Sequence, residues 1–304
     1  MSPTSSVLRT DRLTKSFGSR LAVDALDLAV ESGEIFGFLG PNGAGKTTTI
    51  RMCLGLIRPG GGSIELLGRD LRSHRRRVLP RVGALIESPA LYSYMSGRDN
   101  LLVFGDALGG VSASRIDEVL ELVGLRGRGR DRVRSYSLGM KQRLGLAAAM
   151  LHEPELLILD EPANGLDPAG IVEMRDLLRF LAAQGRTVFL SSHVLSEVQQ
   201  ICDRVAIINE GRLVTVAPVA QLIRDSGEFV VRLSDLSEAL TLVRQQPWGA
   251  AARITEGTLV TAAPGGRGRD LNQFLVAAGL VPDSVSQREQ DLEEIFLTLT
   301  GGGR

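Results

Sequence analysis

Apolar and polar residues alternate along the chain in patterns that predict a parallel α/β domain. Period-two alternation predicts strands at residues 7–13 and 26–30, with a turn at 16–20 between them. Short apolar runs, which are typical of buried strands, occur at residues 34–39, 82–87, 156–159 and 188–191. Apolar residues at i, i+3 and i+4 predict helices at residues 46–56, 100–107, 114–123, 140–151 and 171–183. Strands that alternate with helices indicate a parallel sheet.

The pattern changes past about residue 218, where short strands and helices follow each other in a different rhythm. Strands are predicted at residues 229–233, 252–254 and 258–262. Helices are predicted at residues 237–245, 271–278 and 292–299. We therefore expect a separate small α+β unit over residues 219–304.

Composition and charge restrict the class of protein. The chain has 304 residues, of which 43% are hydrophobic, so it can bury a sizeable core. Its formal net charge is zero, which gives no overall attraction to nucleic acid. Cys53 and Cys202 lack metal-ligand spacing and indicate reduced thiols. No uncharged apolar run reaches the roughly 18 residues that span a bilayer, and the N-terminal residues do not resemble a secretory signal. We therefore expect any membrane segment to belong to a partner.

A glycine-rich segment lies between the strand predicted at 34–39 and the helix that follows it. It matches G-x-x-x-x-G-K-[ST] and consists of Gly40, Pro41, Asn42, Gly43, Ala44, Gly45, Lys46, Thr47 and Thr48. Glycines let backbone N–H groups close around phosphates, and the helix N-terminus adds partial positive charge. In such loops the lysine contacts the β- and γ-phosphates and the threonine hydroxyl ligates Mg²⁺. The segment therefore predicts an ATP site in which Lys46 is catalytic and Thr47 is a metal ligand.

The second candidate for nucleotide chemistry is an acidic segment at the end of the apolar strand predicted at 156–159. Asp160 comes at the end of this strand, where its carboxylate is expected to hold Mg²⁺ through a water molecule. Glu161 is the next residue and is expected to polarise the attacking water as the general base. Such a segment is common by itself, and it gains meaning because a phosphate loop precedes it.

Three further segments identify the family. Residues 135–143 (SYSLGMKQR) resemble the signature of ABC ATPases, residues 164–168 (NGLDP) resemble their D-loop, and Ser191-Ser192-His193 resembles their switch histidine. In order and spacing, residues 5–218 are similar to an ABC ATPase domain. The resemblance implies a P-loop ATPase fold with a RecA-like core, an antiparallel β subdomain and a helical subdomain at about 88–151. Residues 219–304 would then form a small C-terminal α+β accessory domain.

The resemblance also implies how the site is assembled. Two such subunits pair head to tail, so that each ATP lies between the phosphate loop of one copy and the signature of the other. Ser137 and Gly139 would contact the γ-phosphate from the second copy. His193 would contact the same phosphate, and Phe17 matches the position at which the family stacks an aromatic ring on adenine.

Two departures from the family pattern are informative. In the signature, Tyr136, Leu138 and Met140 replace the usual leucine, first glycine and glutamine. Glu87 stands where the family normally has a glutamine that contacts Mg²⁺ and the membrane partner, and a carboxylate can also ligate the metal. The segment around Glu87 resembles the ATPases of bacitracin-resistance, lantibiotic-immunity and multidrug exporters.

We therefore expect an ATP- and Mg²⁺-dependent ATPase, dimeric, cytoplasmic and peripheral on the inner face of the membrane, that drives export through a separate permease. An importer subunit and a regulatory ATP switch are the alternatives. DNA-repair ABC ATPases carry a long coiled coil, which residues 60–135 lack. Residues 72–81 form a basic run, which we expect to be a solvated helix face or, alternatively, to lie against anionic headgroups.

Overall fold

The computed structural model describes residues 6–87, 89–223, 227–288, 292 and 295–296. Contacts divide the chain into two compact units, the first of which runs to Val219 while the second begins at Ala220. No helix in the described ranges is long and apolar enough to cross a membrane.

An antiparallel sheet opens the first unit. Its strands β1 (Ser6–Phe17), β2 (Arg20–Glu31), β4 (Gly61–Leu66) and β5 (Arg69–Asp70) pair in the order β2-β1-β4-β5. Only Gly18 and Ser19 separate β1 from β2, so the turn is shorter than the 16–20 predicted. Its strands contribute Leu13, Leu26 and Ile64 to a core shared with the neighbouring sheet.

A six-stranded sheet in the order β10-β9-β3-β8-β7-β6 forms the centre of the first unit. Its strands are β3 (Ile35–Leu39), β6 (Val82–Leu85), β7 (Leu156–Asp160), β8 (Thr187–Ser192), β9 (Arg204–Asn209) and β10 (Arg212–Pro218). Neighbouring strands are parallel apart from β10, which pairs antiparallel with β9. Every residue of β3, β7 and β8 is buried, as expected for parallel strands covered on both faces.

Helices of the first unit begin slightly before the apolar pattern starts. They are α1 (Lys46–Cys53), α2 (Leu71–Val78), α3 (Gly97–Ala107), α4 (Ala113–Leu122), α5 (Leu138–Ala149), α6 (Pro168–Ala183) and α7 (Leu195–Ile201), and a short helix α8 (Val219–Leu222) spans the boundary between the units. Ser96, Ser112, Ser137 and Asp167 each accept a hydrogen bond from the backbone N–H three residues later. These N-caps fix where α3 to α6 begin, one to three residues before the predicted starts, because capping residues are polar and fall outside an apolar count.

The second unit has the element order β-α-β-β-α-β. It contains β11 (Glu228–Arg232), α9 (Leu236–Arg244), β12 (Arg253–Thr255), β13 (Thr258–Ala262), α10 (Gly268–Ala277) and β14 (Ser284–Gln287). The strands pair antiparallel in the order β12-β13-β11-β14, a split βαβ arrangement. Strand β14 (SVSQ) is too polar to be recognised by apolar pattern. The helix predicted at 292–299 lies outside the described residues except for positions 292, 295 and 296.

Candidate active site

The phosphate loop connects β3 to α1 and is shaped by its glycines. Gly45, the N-cap of α1, has a φ of 107°, and a Cβ atom there would lie 2.5 Å from the carbonyl oxygen of Ala22. Any other residue would therefore be strained and would collide with β2. Gly45 also provides no side-chain cap, so the first N–H groups of α1 have no side-chain acceptor there and suit an anion.

Lys46 begins α1 and is buried at the base of the loop. Its Nζ donates a 2.6 Å hydrogen bond to the carbonyl oxygen of Gly40. The same Nζ lies 3.4 Å from Oε1 of Glu161. A phosphate that enters the loop would therefore find this ammonium already held at the centre of the site.

Glu161 occupies the junction between Lys46 and His193. Its Oε2 lies 2.7 Å from Nδ1 of His193, and its own side chain is 20% exposed. Its φ is +52°, a left-handed conformation that is uncommon for a glutamate. The backbone N–H of Glu161 donates to Oγ of Ser191 at 3.0 Å, which ties the residue to the end of β8. The backbone of Glu161 is thus held in a strained conformation that sets the direction of its carboxylate, and strain of this kind is often found at functional sites.

Asp160 is the last residue of β7 and is 1% exposed. Its Oδ1 accepts a 2.5 Å hydrogen bond from Oγ of Ser191. The hydroxyl group of Ser191 therefore donates a hydrogen bond to the carboxylate of Asp160 and accepts one from the backbone N–H of Glu161. This arrangement fixes the two carboxylates at the carboxyl ends of parallel strands, where α/β proteins bind ligands.

A cavity of about 610 Å³ collects most of the predicted nucleotide residues. Those that line it are Phe17, Pro41, Asn42, Gly43, Gly45, Lys46, Thr47, Thr48, Glu161 and His193. Arg20 and Asn164 line it as well. Sequence reasoning assigned neither of them to the site, although Arg20 ends the predicted turn at 16–20 and Asn164 begins the segment that resembles the D-loop. Arg20 donates to the carbonyl oxygen of Gly43 at 3.3 Å and so braces the loop. Phe17 is 52% exposed at the mouth, where Nζ of Lys15 lies 5.2 Å from the centre of its ring.

Other predicted residues lie outside this lining. Gly40 and Ala44 belong to the loop but support it from behind, and Asp160 is buried beneath the surface. Glu87, predicted as a metal ligand, points elsewhere: its Oε1 lies 2.5 Å from the guanidinium of Arg51, and its side chain is 64% exposed. The φ of Glu87 is +56°. In this structure, therefore, the carboxylate of Glu87 is paired with α1 instead of facing the cavity.

The signature segment is also away from this cavity. Ser137 caps α5 by accepting from the N–H of Met140 at 3.2 Å, and no side chain approaches Gly139 closely. Tyr136 is buried and donates to the carbonyl oxygen of Arg128 at 2.7 Å, so this replacement of the usual leucine is structural. Leu138 is 44% exposed. Ser137 and Gly139 thus present a helix N-terminus that takes no part in the cavity of its own chain.

Glu197, which sequence reasoning missed, lies in the first turn of α7, four residues after His193. With Glu161 and His193 it lines a second cavity, of about 450 Å³, between α6 and α7. Burial raises the pKa of the Glu197 carboxyl; nearby His193 lowers it and Glu161 raises it further. The signal that could have identified Glu197 is its position four residues after the site histidine, in the helix that follows that histidine.

Comparison with known proteins decides the family. Residues 23–164 match the family described as ABC transporter. Over 302 residues the chain is 43% identical to the bacitracin transport ATP-binding protein BcrA of Bacillus licheniformis, which covers 98% of this chain and 99% of that protein. The chain belongs to the ABC transporter ATP-binding family. The resemblance inferred from its motifs is confirmed, and the protein is an ATPase of this family that binds ATP.

Two other relatives agree with this assignment. The daunorubicin resistance ATP-binding protein DrrA3 of Streptomyces coeruleorubidus is 38% identical over 98% of this chain and 96% of its own length. Among solved structures, the ATP binding subunit of an ABC transporter superposes with a TM-score of 0.64 at 28% identity, over 71% of this chain and 91% of that one. The fold class predicted from sequence is therefore confirmed.

Proposed function

We propose that the chain hydrolyses ATP to energise export of an antibiotic, peptide or drug-like molecule through a separate membrane permease. The observation that carries the proposal is the position of Glu161, whose two carboxylate oxygens contact Lys46 and His193 at the wall of a nucleotide-sized cavity. Relatives named for bacitracin transport and daunorubicin resistance support the direction of transport and the chemical class of the exported molecule.

Each catalytic role follows from this geometry. Lys46 holds the β- and γ-phosphates and neutralises charge that develops during transfer. Glu161 accepts a proton from the attacking water, because its carboxylate is fixed beside the position of the γ-phosphate. His193 bonds to the far oxygen of Glu161 and so orients the carboxylate, while its ring lies at the cavity wall where it can also contact the phosphate. Because a glutamate occupies the position of the general base, ATP hydrolysis is favoured over the alternative of a regulatory switch that binds ATP with little turnover.

Magnesium fits the donors at this end of the sheet. Among the described residues, no group of three or more histidine, cysteine or carboxylate side chains could hold a metal. Mg²⁺ in nucleotide sites normally takes one or two protein oxygens together with phosphate oxygens and water. Thr47 faces the cavity and Asp160 lies at the adjoining strand end, so Thr47 would hold the ion through its hydroxyl group and Asp160 would hold it through a water molecule. The ion would offset the negative charge of the phosphates.

A second copy of the chain completes the site. Ser137 and Gly139 stand at the N-terminus of a 12-residue helix, which favours phosphate, yet they are absent from the cavity of their own chain. A head-to-tail homodimer brings this helix N-terminus over the phosphate loop of the partner. Isologous pairing of this kind is the commonest symmetry of protein dimers.

Mixing two inactive variants tests the composite site. Lys46→Ala disables the loop and Gly139→Asp disables the signature, so each pure variant should release almost no phosphate from ATP. A mixed dimer retains one intact site, formed by the unaltered loop of one copy and the unaltered signature of the other. An equal mixture should recover roughly a quarter of wild-type turnover if copies exchange freely. No recovery, with exchange shown by differently tagged copies, would mean that each site is completed within one chain.

Inside-out membrane vesicles test the direction of transport. Vesicles are prepared with the chain and the integral membrane protein that co-purifies with it, and bacitracin or daunorubicin serves as the probe. ATP-dependent uptake into the vesicles corresponds to export from the cell. Uptake should disappear with Glu161→Gln; ATP-dependent release of a preloaded probe would instead indicate import.

A further inference from the structure

Helix α2 concentrates positive charge on its exposed surface. Arg72, Arg75, Arg76 and Arg77, here called the arginine face, are all exposed in a helix of eight residues. The opposite side is anchored, because Leu71 and Val78 are buried in the core of the first unit. The helix is thus fixed to the protein by its apolar side and presents its charge outward.

The arginine face has little internal counter-charge: among the described residues, the carboxylate of Asp70 interacts with Arg72. No ion pair joins any of its four guanidinium groups to a carboxylate in the part of the chain that the structure describes, whereas Arg81, just beyond the helix, pairs with Glu155 at 2.5 Å. Asp70, which begins the helix, is engaged as its N-cap: hydrogen bonds from Ser73 hold the pKa of this carboxyl below its usual value. The charge of the arginines is therefore available to an external partner.

Keeping these arginines together is unfavourable for the isolated protein. Four like charges lie within residues 72–77, on both sides of a kink at His74, and their mutual repulsion is unfavourable. The chain as a whole is neutral, with 35 basic and 35 acidic residues, so the cluster is a local concentration of charge and not a consequence of overall composition. An anionic partner outside the chain would relieve the repulsion.

The geometry favours a surface of phosphates over a single anion. The four side chains are spread along α2, with Arg72 before the kink at His74 and Arg75, Arg76 and Arg77 after it, which suits an extended array of phosphates better than one small anion. Guanidinium groups bind phosphate oxygens in a bidentate manner, and a cluster of four or more on one helix is typical of proteins that bind anionic membranes. We propose that the arginine face of α2 binds the phosphates of anionic lipid headgroups. The inference goes beyond the transport function, because this contact needs neither ATP nor the permease.

Binding of this kind is electrostatic and superficial. Since the apolar side of α2 is occupied by the core, no hydrophobic residue of the helix is available to enter the bilayer. Attraction to the headgroups should therefore fall steeply with salt, as the Debye length is about 10 Å at 0.1 M and shorter above it.

Vesicle flotation with the full-length chain tests the proposal. The chain is mixed, without ATP or permease, with vesicles of phosphatidylcholine alone or of phosphatidylcholine with phosphatidylglycerol. We expect binding to the anionic vesicles only, reversed by high salt. Substitution of all four arginines of the face by glutamine should weaken the apparent affinity at least about tenfold. A thermal unfolding temperature no lower than that of the wild type, with unchanged ATPase activity in solution, would show that this variant is folded.

A matched control removes the same charge elsewhere. Arg126, Arg128, Arg130 and Arg132 are also exposed, and glutamine at all four should leave vesicle binding unaltered. Equal loss in both variants would attribute binding to net charge and overturn the assignment to α2. Absence of any preference for the anionic vesicles would also overturn it, as would tight binding of a nucleic-acid oligonucleotide without vesicle binding.

Discussion

Oε2 of Glu161 and Nδ1 of His193 lie 2.7 Å apart, although 32 residues separate them in sequence. The contact exists because β7 and β8 are neighbours in the central sheet, so that the residues following the two strands meet at one edge. Ser191 reinforces the junction by bonding to both Asp160 and Glu161. The proposed base and the histidine proposed to orient it are consequently held in contact by the fold itself.

Glu161→Gln should abolish hydrolysis while preserving ATP binding. The amide keeps the size of the side chain but cannot accept a proton from water, and loss of a general base typically costs about 10²–10⁴-fold in rate. Phosphate release reports the rate, and size-exclusion chromatography with ATP should show an accumulated dimer. The exposed Glu65 provides the control, since Glu65→Gln should leave both readings unchanged. A monomeric Glu161→Gln variant with full turnover would refute the role given to this residue.

Lys46→Ala should weaken ATP binding itself. The ammonium is buried at the base of the loop, where it would form charged hydrogen bonds to the phosphate oxygens of ATP; losing such a bond costs about 1.5–3 kcal/mol, which corresponds to roughly ten- to a hundredfold in affinity. Titration calorimetry with ATP and Mg²⁺ measures the effect. Lys141→Ala, in a segment away from the cavity, should bind nucleotide on the monomer as the wild type does. Equal affinity of the Lys46 variant and the wild type would show that the loop does not hold ATP through this lysine.

Glu87→Gln should change the stimulation of the ATPase by the permease more than it changes the basal rate of ATP hydrolysis. The carboxylate of Glu87 is paired with Arg51 and lies outside the cavity lining, so basal hydrolysis should stay near normal, whereas stimulation by the reconstituted permease should change. The exposed ion pair itself contributes no more than about 1 kcal/mol to folding. Glu155→Gln, which breaks the exposed pair with Arg81, is the comparison for a purely structural effect. A collapse of the basal rate would place Glu87 in the chemistry, as a metal ligand that leaves Arg51 when nucleotide binds.

Stability of the second unit should depend on pH through Glu228. Its carboxylate bonds to Arg253 at 2.5 Å and to Arg288 at 2.8 Å, and these arginines hold its pKa below the ordinary value. A lowered folded-state pKa stabilises the protein above the unfolded-state value, about 4.3, and the contribution disappears as pH falls through the folded-state value. Glu228→Gln should cost about 1–3 kcal/mol at pH 7.

Urea unfolding followed by Trp248, which lies in the second unit, measures this difference. The gap between wild type and Glu228→Gln should narrow as the pH falls from neutral toward the lowered pKa. Glu238→Gln, in the first turn of α9, serves as a comparison on the same unit, as its carboxylate has no ion pair among the described residues. A gap that stays constant with pH would show that the charge of Glu228 does not stabilise the unit.

Residues 40–48 and Asp160-Glu161 could be recognised from sequence, because their chemistry depends on neighbours along the chain. A tight loop needs its glycines in order, and an acidic pair at a strand end is reached by counting along one strand. The parallel α/β fold could also be predicted from sequence, since it follows from the local periodicity of apolar residues. Strand β14, by contrast, is polar and exists because β11 offers a partner, which no local pattern reveals.

By itself the sequence determined which segment has the pattern of a phosphate loop and which strand ends in acidic residues, since those properties are local. Only the tertiary structure decided which distant residues join them. Sheet order places β8 beside both β3 and β7, and this brings His193 and Ser191 to the acidic pair and all of them to the loop. It also pairs Glu87 with Arg51 and adds Arg20 and Asn164 to the cavity. Contacts of this kind depend on the direction of side chains across neighbouring elements, which a single strand or helix does not encode.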